Sequence, residues 1–498
     1  MKIGRFAERA FGALFFCAFA AAFVLCLTYG SWLLEKKLDP VLGIASGVLF
    51  TAIAYFAVKM ARRLSVPNPR RVEVLLLILL FLIYIPLQLW FAHEFEYDLT
   101  NGWDFDIVVK SAQSYALEGA TGCAAYYSSW PNNVPIMVLL CLLFKGALRL
   151  GITDLMAVGA VVNCVSIDVA LLLVYFTARK LAGRRAAALC LAGGMLTAAL
   201  LIYTSLFYTD TLSLPYPIAA LYAWICFKEK YAAGKKAGAA RALIAASLWI
   251  AAGSLLKITV LIAAVAIAID ALLCFGARRG AVTAAAVAIL CAAFYFPLRA
   301  AAFSHPAVPE KDEAAYLPTL HYVMMGLHGN GNYYDPDYGL TFSVPADERD
   351  ALVKQEIKSR VEAYGFGGIA AHLAEKIGFT WGDSLYTAPY KIGRDRQPTS
   401  QLDVLFLYYS PYYRYTSYVC EGPHLLLLSM LAAAGILFMR GKRRELLPFA
   451  LSGYGLFFFL LFWETRARYL VNFLPIYLLV GILTFWYLTE KKDIAKIK

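Results

Sequence analysis

Charge is what this sequence has least of. Only 16% of its 498 residues are Asp, Glu, Lys or Arg, against 61% hydrophobic ones, and the mean hydropathy is +0.62. A soluble globular domain carries roughly a quarter charged residues, so this composition excludes an ordinary aqueous surface. The ten cysteines show no metal-ligand spacing, and most fall inside apolar runs, where a cysteine is a small apolar filler. No internal repeat is visible, which argues against a transporter or flippase of lipid-linked sugars built from two matching halves. Ionisable residues within the apolar runs are few, Asp168 being the clear one. The net charge of +12 does not imply a nucleic-acid partner here, because in a membrane chain the placement of the bases outweighs their sum.

What the chain has instead is apolar runs, at about 10–34, 41–60, 72–92, 154–178, 186–206, 211–227, 242–256, 258–275, 281–299, 423–439, 446–463 and 469–488. Bases cluster between them, at Lys2/Arg5/Arg9, 59–71, 179–185, 228–241, Arg278/Arg279, 440–444 and the C-terminal tail. With the N-terminus in the cytoplasm and twelve spans, every cluster falls on the cytoplasmic side, as the positive-inside rule requires; only Lys36/Lys37 disagree. That solution keeps 132–150 from crossing, since a further span puts 179–185 outside. The segment reads as a helix partly sunk in the outer leaflet, with Lys145 and Arg149 reaching towards headgroups. The first apolar run is too long for a secretory signal and reads as an anchor. The expectation is an all-α polytopic protein of the plasma membrane, with about 12 transmembrane helices, cytoplasmic termini and two large extracytoplasmic loops, 93–153 and 301–422.

On this topology the polar chemistry collects outside. All six histidines are external, as are Asp104, Asp106 and Asp210. The stretch 93–135 holds six carboxylates (Glu94, Glu96, Asp98, Asp104, Asp106, Glu118) and a single base, Lys110. Within it WDFDIVVKSA (103–112) puts Asp104 and Asp106 at the start of a short helix. There the pair can divide proton transfer and orientation or hold a divalent cation, or simply complement the helix dipole. YYSSWPNNVP (126–135) offers Trp130, Asn132 and Asn133 either as an interfacial belt or as a stacking and hydrogen-bonding surface for a sugar. Asp210 sits in a turn between two spans, as a helix cap and a candidate site residue. Lys257 occupies another external turn, and either a lipid phosphate or Asp168 serves as its counter-charge. Arg466 and Arg468 break the positive-inside pattern beside Glu464, and guanidinium forks suit phosphate as well as that salt bridge. Met324 to Asp337, with His328, is Gly-rich and aromatic and reads as a flexible cover. Residues 345–364 read as an amphipathic helix broken at 365–368 and followed by a second helix. Cys123 and Cys420 lie in external segments, as a disulfide or as two free thiols.

Together WDFDIVVKSA, YYSSWPNNVP, MMGLHGNGNYYDPD (324–337) and ETRARYLVNFLP (464–475) resemble the GT-C superfamily of integral membrane glycosyltransferases. The likeness is nearest to the bacterial relatives of protein O-mannosyltransferases and lipid A aminoarabinose transferases. It covers the chain from about residue 72, and divides it into two added helices (1–71), a membrane core (72–300), an extracytoplasmic segment (301–422) and C-terminal helices (423–498). The resemblance implies transfer of a sugar from a polyprenyl-phosphate donor to an envelope glycan, lipid or protein acceptor, among membrane lipids. It implies Asp104 as general base or acceptor-orienting carboxylate, Asp106 as its neighbour or a metal ligand, Asp210 as the second acidic turn, and Lys257, Arg466 and Arg468 as counter-charges for the departing phosphate. It fixes no cofactor, and a divalent cation at Asp106 or Asp210 stays open. The chain lacks the Asp-Glu pair of the mannosyltransferases, which leaves the acid/base role open between Asp104 and Asp106.

Overall fold

A computed structural model describes residues 2–29, 38–63, 69–99, 103–394 and 400–490, so Lys36 and Lys37 lie outside the described residues. Among these residues the structure is helix and connecting turn, without strands. Ten helices are long and apolar enough to cross a membrane, and an eleventh candidate is the pair Arg184–Met195 and Ala198–Ser205, bent by 54°. Their outward faces are apolar: Val48, Leu75, Leu82 and Ile289 are each more than half exposed, as expected of side chains that meet lipid rather than water.

Ile262–Phe303 is one helix only in name. Gly276 has φ 77° and ψ 173°, outside helical space, and a Cβ on Gly280 would fall 2.5 Å from Leu272 Cα. The chain therefore doubles back in a tight hairpin, which matches the two separate spans expected at 258–275 and 281–299. The N-terminal helix Lys2–Tyr29 packs against Tyr413–Met439 and Arg349–Trp381, and buries Phe19 against Trp381, Phe457 and Tyr477.

The basic turns gather at one end of the bundle. Arg62 donates to the Thr489 carbonyl at 3.0 Å, and Arg185 to the Arg62 carbonyl at 3.0 Å. Arg179 and Arg184 pair with Glu73 at 2.8 and 2.7 Å, Arg443 with Glu490 at 3.0 Å, and Lys228 with Asp270 at 2.7 Å; Lys180–Glu229 and Arg444–Glu8 close the set. The opposite end carries the extramembrane segments.

Pro131–Arg149 is long and apolar enough to span, yet its contacts hold both of its ends at this second end. Asn133 at its start meets Tyr208, and Lys145 near its finish lies 3.8 Å from the Tyr115 ring. Tyr115 in turn meets His305, just past the far end of the 277–303 helix.

Cys123 and Cys420 remain separate thiols. Cys123 is exposed in a left-handed turn, while Cys420 is held inside Tyr413–Met439, so the bridge between them does not form.

Candidate functional site

Asp104 opens the helix Asp104–Glu118, whose N-terminal dipole favours a carboxylate there. Its Oδ1 accepts from the Tyr126 hydroxyl at 2.9 Å, and that hydroxyl accepts from Asn133 Nδ2 at 2.6 Å. The Asn133 carbonyl oxygen takes the Tyr208 hydroxyl at 2.9 Å and the Asn132 amide at 3.2 Å. Each donor in this chain is oriented by the next, so Asp104 is held by a buried relay. Burial and then the nearby Asp104 charge push the Tyr126 phenol well up, which keeps it a donor. Trp130 stacks on Tyr338 at 5.5 Å and 9°, forming an aromatic wall beside the relay.

Across from Asp104 stands a cluster of cations. Lys257, in the break between Lys236–Leu256 and Ile258–Leu261, pairs with Asp210 Oδ1. Asp168 is not its partner; that residue, in Leu155–Ala182, lies beside Gln88 and Tyr84 of Pro69–Glu94. Arg468 Nε is 3.4 Å from Asp210 Oδ2, and the guanidinium carbon lies 5.2 Å from the Trp103 ring and 5.7 Å from that of Tyr208. Arg466 Nε is 3.8 Å from Glu464 Oε1, which accepts from Tyr469 at 3.0 Å. Lys391, on the short helix Ala388–Gly393, is buried with its ammonium 3.9 Å from the Trp103 ring.

This cluster is short of negative charge. Although Arg468 is only 6% exposed, its Nη1 has no hydrogen-bond acceptor among the described residues, and its Nε, like that of Arg466, makes an ion contact to a carboxylate without a hydrogen bond. A buried donor left unmade costs about 1–3 kcal/mol, so such groups call for a partner. Burial, then the charges of Arg468 and Arg466, press the Lys391 ammonium well below its ordinary range, with Asp104 opposing. An anion seated among Arg468, Arg466 and Lys391 relieves all three.

Of the residues singled out in the sequence, Asp104, Trp130, Asn132, Asn133, Asp210, Lys257, Arg466 and Arg468 come to this end of the bundle. Asp106 is buried two residues along the helix, about 200° around from Asp104, so the charges that act on Lys391, Glu464 and Arg468 include Asp104. The Asp210 carboxylate is engaged by two cations, which leaves it poorly suited to a metal ion. Among the described residues no group of three or more His, Cys, Asp or Glu is placed to hold one. The His328 ring is stacked on Tyr334 at 3.6 Å, and no hydrogen bond or ion pair joins it to the cluster among the described residues. Lys391 and Tyr208 were missed. Lys391 lies in a polar, tyrosine-rich stretch with nothing to mark it, and Tyr208 reads as an interfacial aromatic.

The Gly-rich stretch is a pinned wall rather than a loose cover. The Gly326 carbonyl accepts from Lys376 at 2.7 Å, the Gly331 carbonyl from the Thr465 amide at 2.7 Å, and the Tyr322 carbonyl from the Glu464 amide at 2.8 Å. Asp337 receives a two-pronged contact from Arg360 at 2.6 and 2.8 Å. The helix Arg349–Trp381 that supplies Arg360 and Lys376 breaks at Gly365, where φ is 56°, as its sequence suggests.

In comparison with known families, one family model, described as a conserved hypothetical integral membrane protein, matches residues 3–487. No curated protein and no solved structure matches the chain.

Proposed function

The chain belongs to this family of conserved hypothetical integral membrane proteins, and we propose that it is a glycosyltransferase that moves a sugar from a polyprenyl-phosphate donor to an acceptor of the cell envelope. The observation that carries the reading is a relay-held carboxylate, Asp104, whose charge acts on the buried Arg468, a guanidinium with two nitrogens that have no hydrogen-bond acceptor among the described residues. In this reading Asp104 takes the proton of an acceptor hydroxyl, whose oxygen attacks the anomeric carbon. The bond from that carbon to the phosphate oxygen breaks, and the lipid phosphate leaves with the bonding electrons and a greater negative charge. Arg468, Arg466 and Lys391 face that growing charge, and fixed cations in a dry site act most strongly on charge that appears in the transition state. The aromatic wall of Trp130 and Tyr338 suits the face of a sugar ring.

The positive-inside pattern supports a cytoplasmic location for the end that gathers the basic turns, and with it a site outside a plasma membrane. Twelve spans follow if the bent pair, both arms of the hairpin at Gly276 and Pro215–Ala232 each cross, while Pro131–Arg149 lies in the outer leaflet.

The test uses membranes containing the wild type, Asp104→Asn or Asp168→Asn at matched expression, supplied with radiolabelled polyprenyl-phosphate hexoses. Transfer is expected from the wild type and Asp168→Asn and not from Asp104→Asn. Failure of the wild type to consume any labelled donor, across several sugars and envelope acceptors, overturns the reading.

A further inference from the structure

At the end of the bundle away from Asp104, a cavity of about 450 Å³ opens between the start of Pro69–Glu94 and the finish of Leu155–Ala182. Its polar lining is Arg70, Arg179, Arg184 and Glu73, and its apolar lining is Val74, Leu77 and Phe176. From Arg70 to Glu94 the helix rises about 36 Å, so this cavity lies a membrane's thickness from the candidate active site.

The wiring of the arginines is informative. Arg179 and Arg184 both approach Glu73 through Nε, at 2.8 and 2.7 Å, and the Tyr175 hydroxyl donates to the same carboxylate. Glu73 is 8% exposed, so it serves as a fixed anchor. Nε is the atom nearest Glu73 in both ion pairs, and among the described residues no hydrogen bond engages the terminal nitrogens of either guanidinium group, the nitrogens that form the fork that grips phosphate oxygens. Three guanidinium groups against one carboxylate leave the cavity with two uncompensated positive charges. Val74 and Phe176, 50% and 39% exposed, continue the cavity onto the surface that meets lipid.

We propose that this cavity binds the phosphate headgroup of an anionic glycerophospholipid, with an acyl chain laid over Val74, Leu77 and Phe176. A soluble phosphate satisfies the arginines and leaves the apolar wall bare; a zwitterionic lipid covers the wall and brings its own cation to the arginines. Basic recesses at the ends of membrane helices have the chemistry for such headgroups.

The test is native mass spectrometry of the full-length protein released from nanodiscs of phosphatidylglycerol or phosphatidylcholine, with and without millimolar inorganic phosphate. Retained phosphatidylglycerol is expected for the wild type and not phosphatidylcholine, and inorganic phosphate should not displace it. Arg70→Gln, which leaves the Glu73 ion pairs intact, should weaken retention about fivefold. The triple variant Glu73→Gln/Arg179→Gln/Arg184→Gln, which strands no carboxylate, should weaken it further. A Lys358→Gln control, in the extramembrane part of the chain, should match the wild type. Wild-type retention by both cavity variants, equal retention of phosphatidylcholine, or displacement by inorganic phosphate each overturns the proposal.

Discussion

Arg468 carries two opposing demands, since its guanidinium is buried while two of its nitrogens have no hydrogen-bond acceptor among the described residues, Nε making only an ion contact to Asp210. If those nitrogens serve the departing phosphate, Arg468→Gln should lower sugar transfer roughly 100-fold or more. Arg468→Lys, which keeps the charge and loses the fork, should fall between, and the loss in both should appear in kcat rather than in KM. Tyr126→Phe tests the other side. It cuts the link from Asn133 to Asp104 without removing a ring, and should cost transfer roughly tenfold at little change in thermal stability. Much of this cluster was legible in the sequence, because Asp104, Asp210, Lys257 and Arg468 are polar interruptions beside apolar runs and such interruptions are expensive. Choosing Asp104 over Asp106 required the phase of the helix, and choosing Asp210 over Asp168 as the partner of Lys257 required the packing of helices far apart in sequence. Lys391 was invisible because a lysine in a polar loop looks like any other until the loop is folded inward.

Among the elements, the wall around Gly326 to Asp337 and the hairpin at Gly276 differ in what the sequence discloses. Glycines at 329, 331 and 365 suggest freedom, and a pattern of residues cannot show that distant Lys376 and Thr465 donate to the Gly326 and Gly331 carbonyls and pin the stretch. Burial lowers the Lys376 amine to about 7, against the opposing charge of Glu464. The unfolded chain keeps the ordinary lysine value, so between about pH 7 and about 10 the unfolded state binds more protons and stability rises with pH. Thermal unfolding in detergent should show this rise, and Lys376→Met should flatten it. Gly276→Ala places a Cβ at positive φ and should destabilise the hairpin by about 1–2 kcal/mol, read as a lowered Tm, while leaving transfer unchanged because the turn lies at the end remote from Asp104.

For the molecule as a whole, the twofold sorting of polar residues was readable from charge alone: bases at one set of turns, carboxylates and aromatics at the other. The contacts between turns supply what charge counting cannot, namely that Arg62, Arg185, Glu73 and Arg443 meet at a single end. Orientation is testable with two native thiols, the exposed Cys123 near the site and the exposed Cys274 beside the Gly276 turn. In single-cysteine chains, an impermeant maleimide should label Cys123 in intact cells and Cys274 only after permeabilisation; the reverse pattern inverts the orientation. The pairing of Asp210 with Arg468 also has a consequence for biosynthesis. A ribosome delivers Asp210 and Lys257 to the membrane well before Arg468, whose turn precedes the final helix. The nascent chain thus holds a carboxylate and an ammonium satisfied by each other, and the anion seat comes into being only once residues 466–468 have followed. A chain stopped before Ala467–Phe473 is therefore expected to insert its earlier helices and to have no donor chemistry at all, so that the arrival of this late turn itself switches the site on.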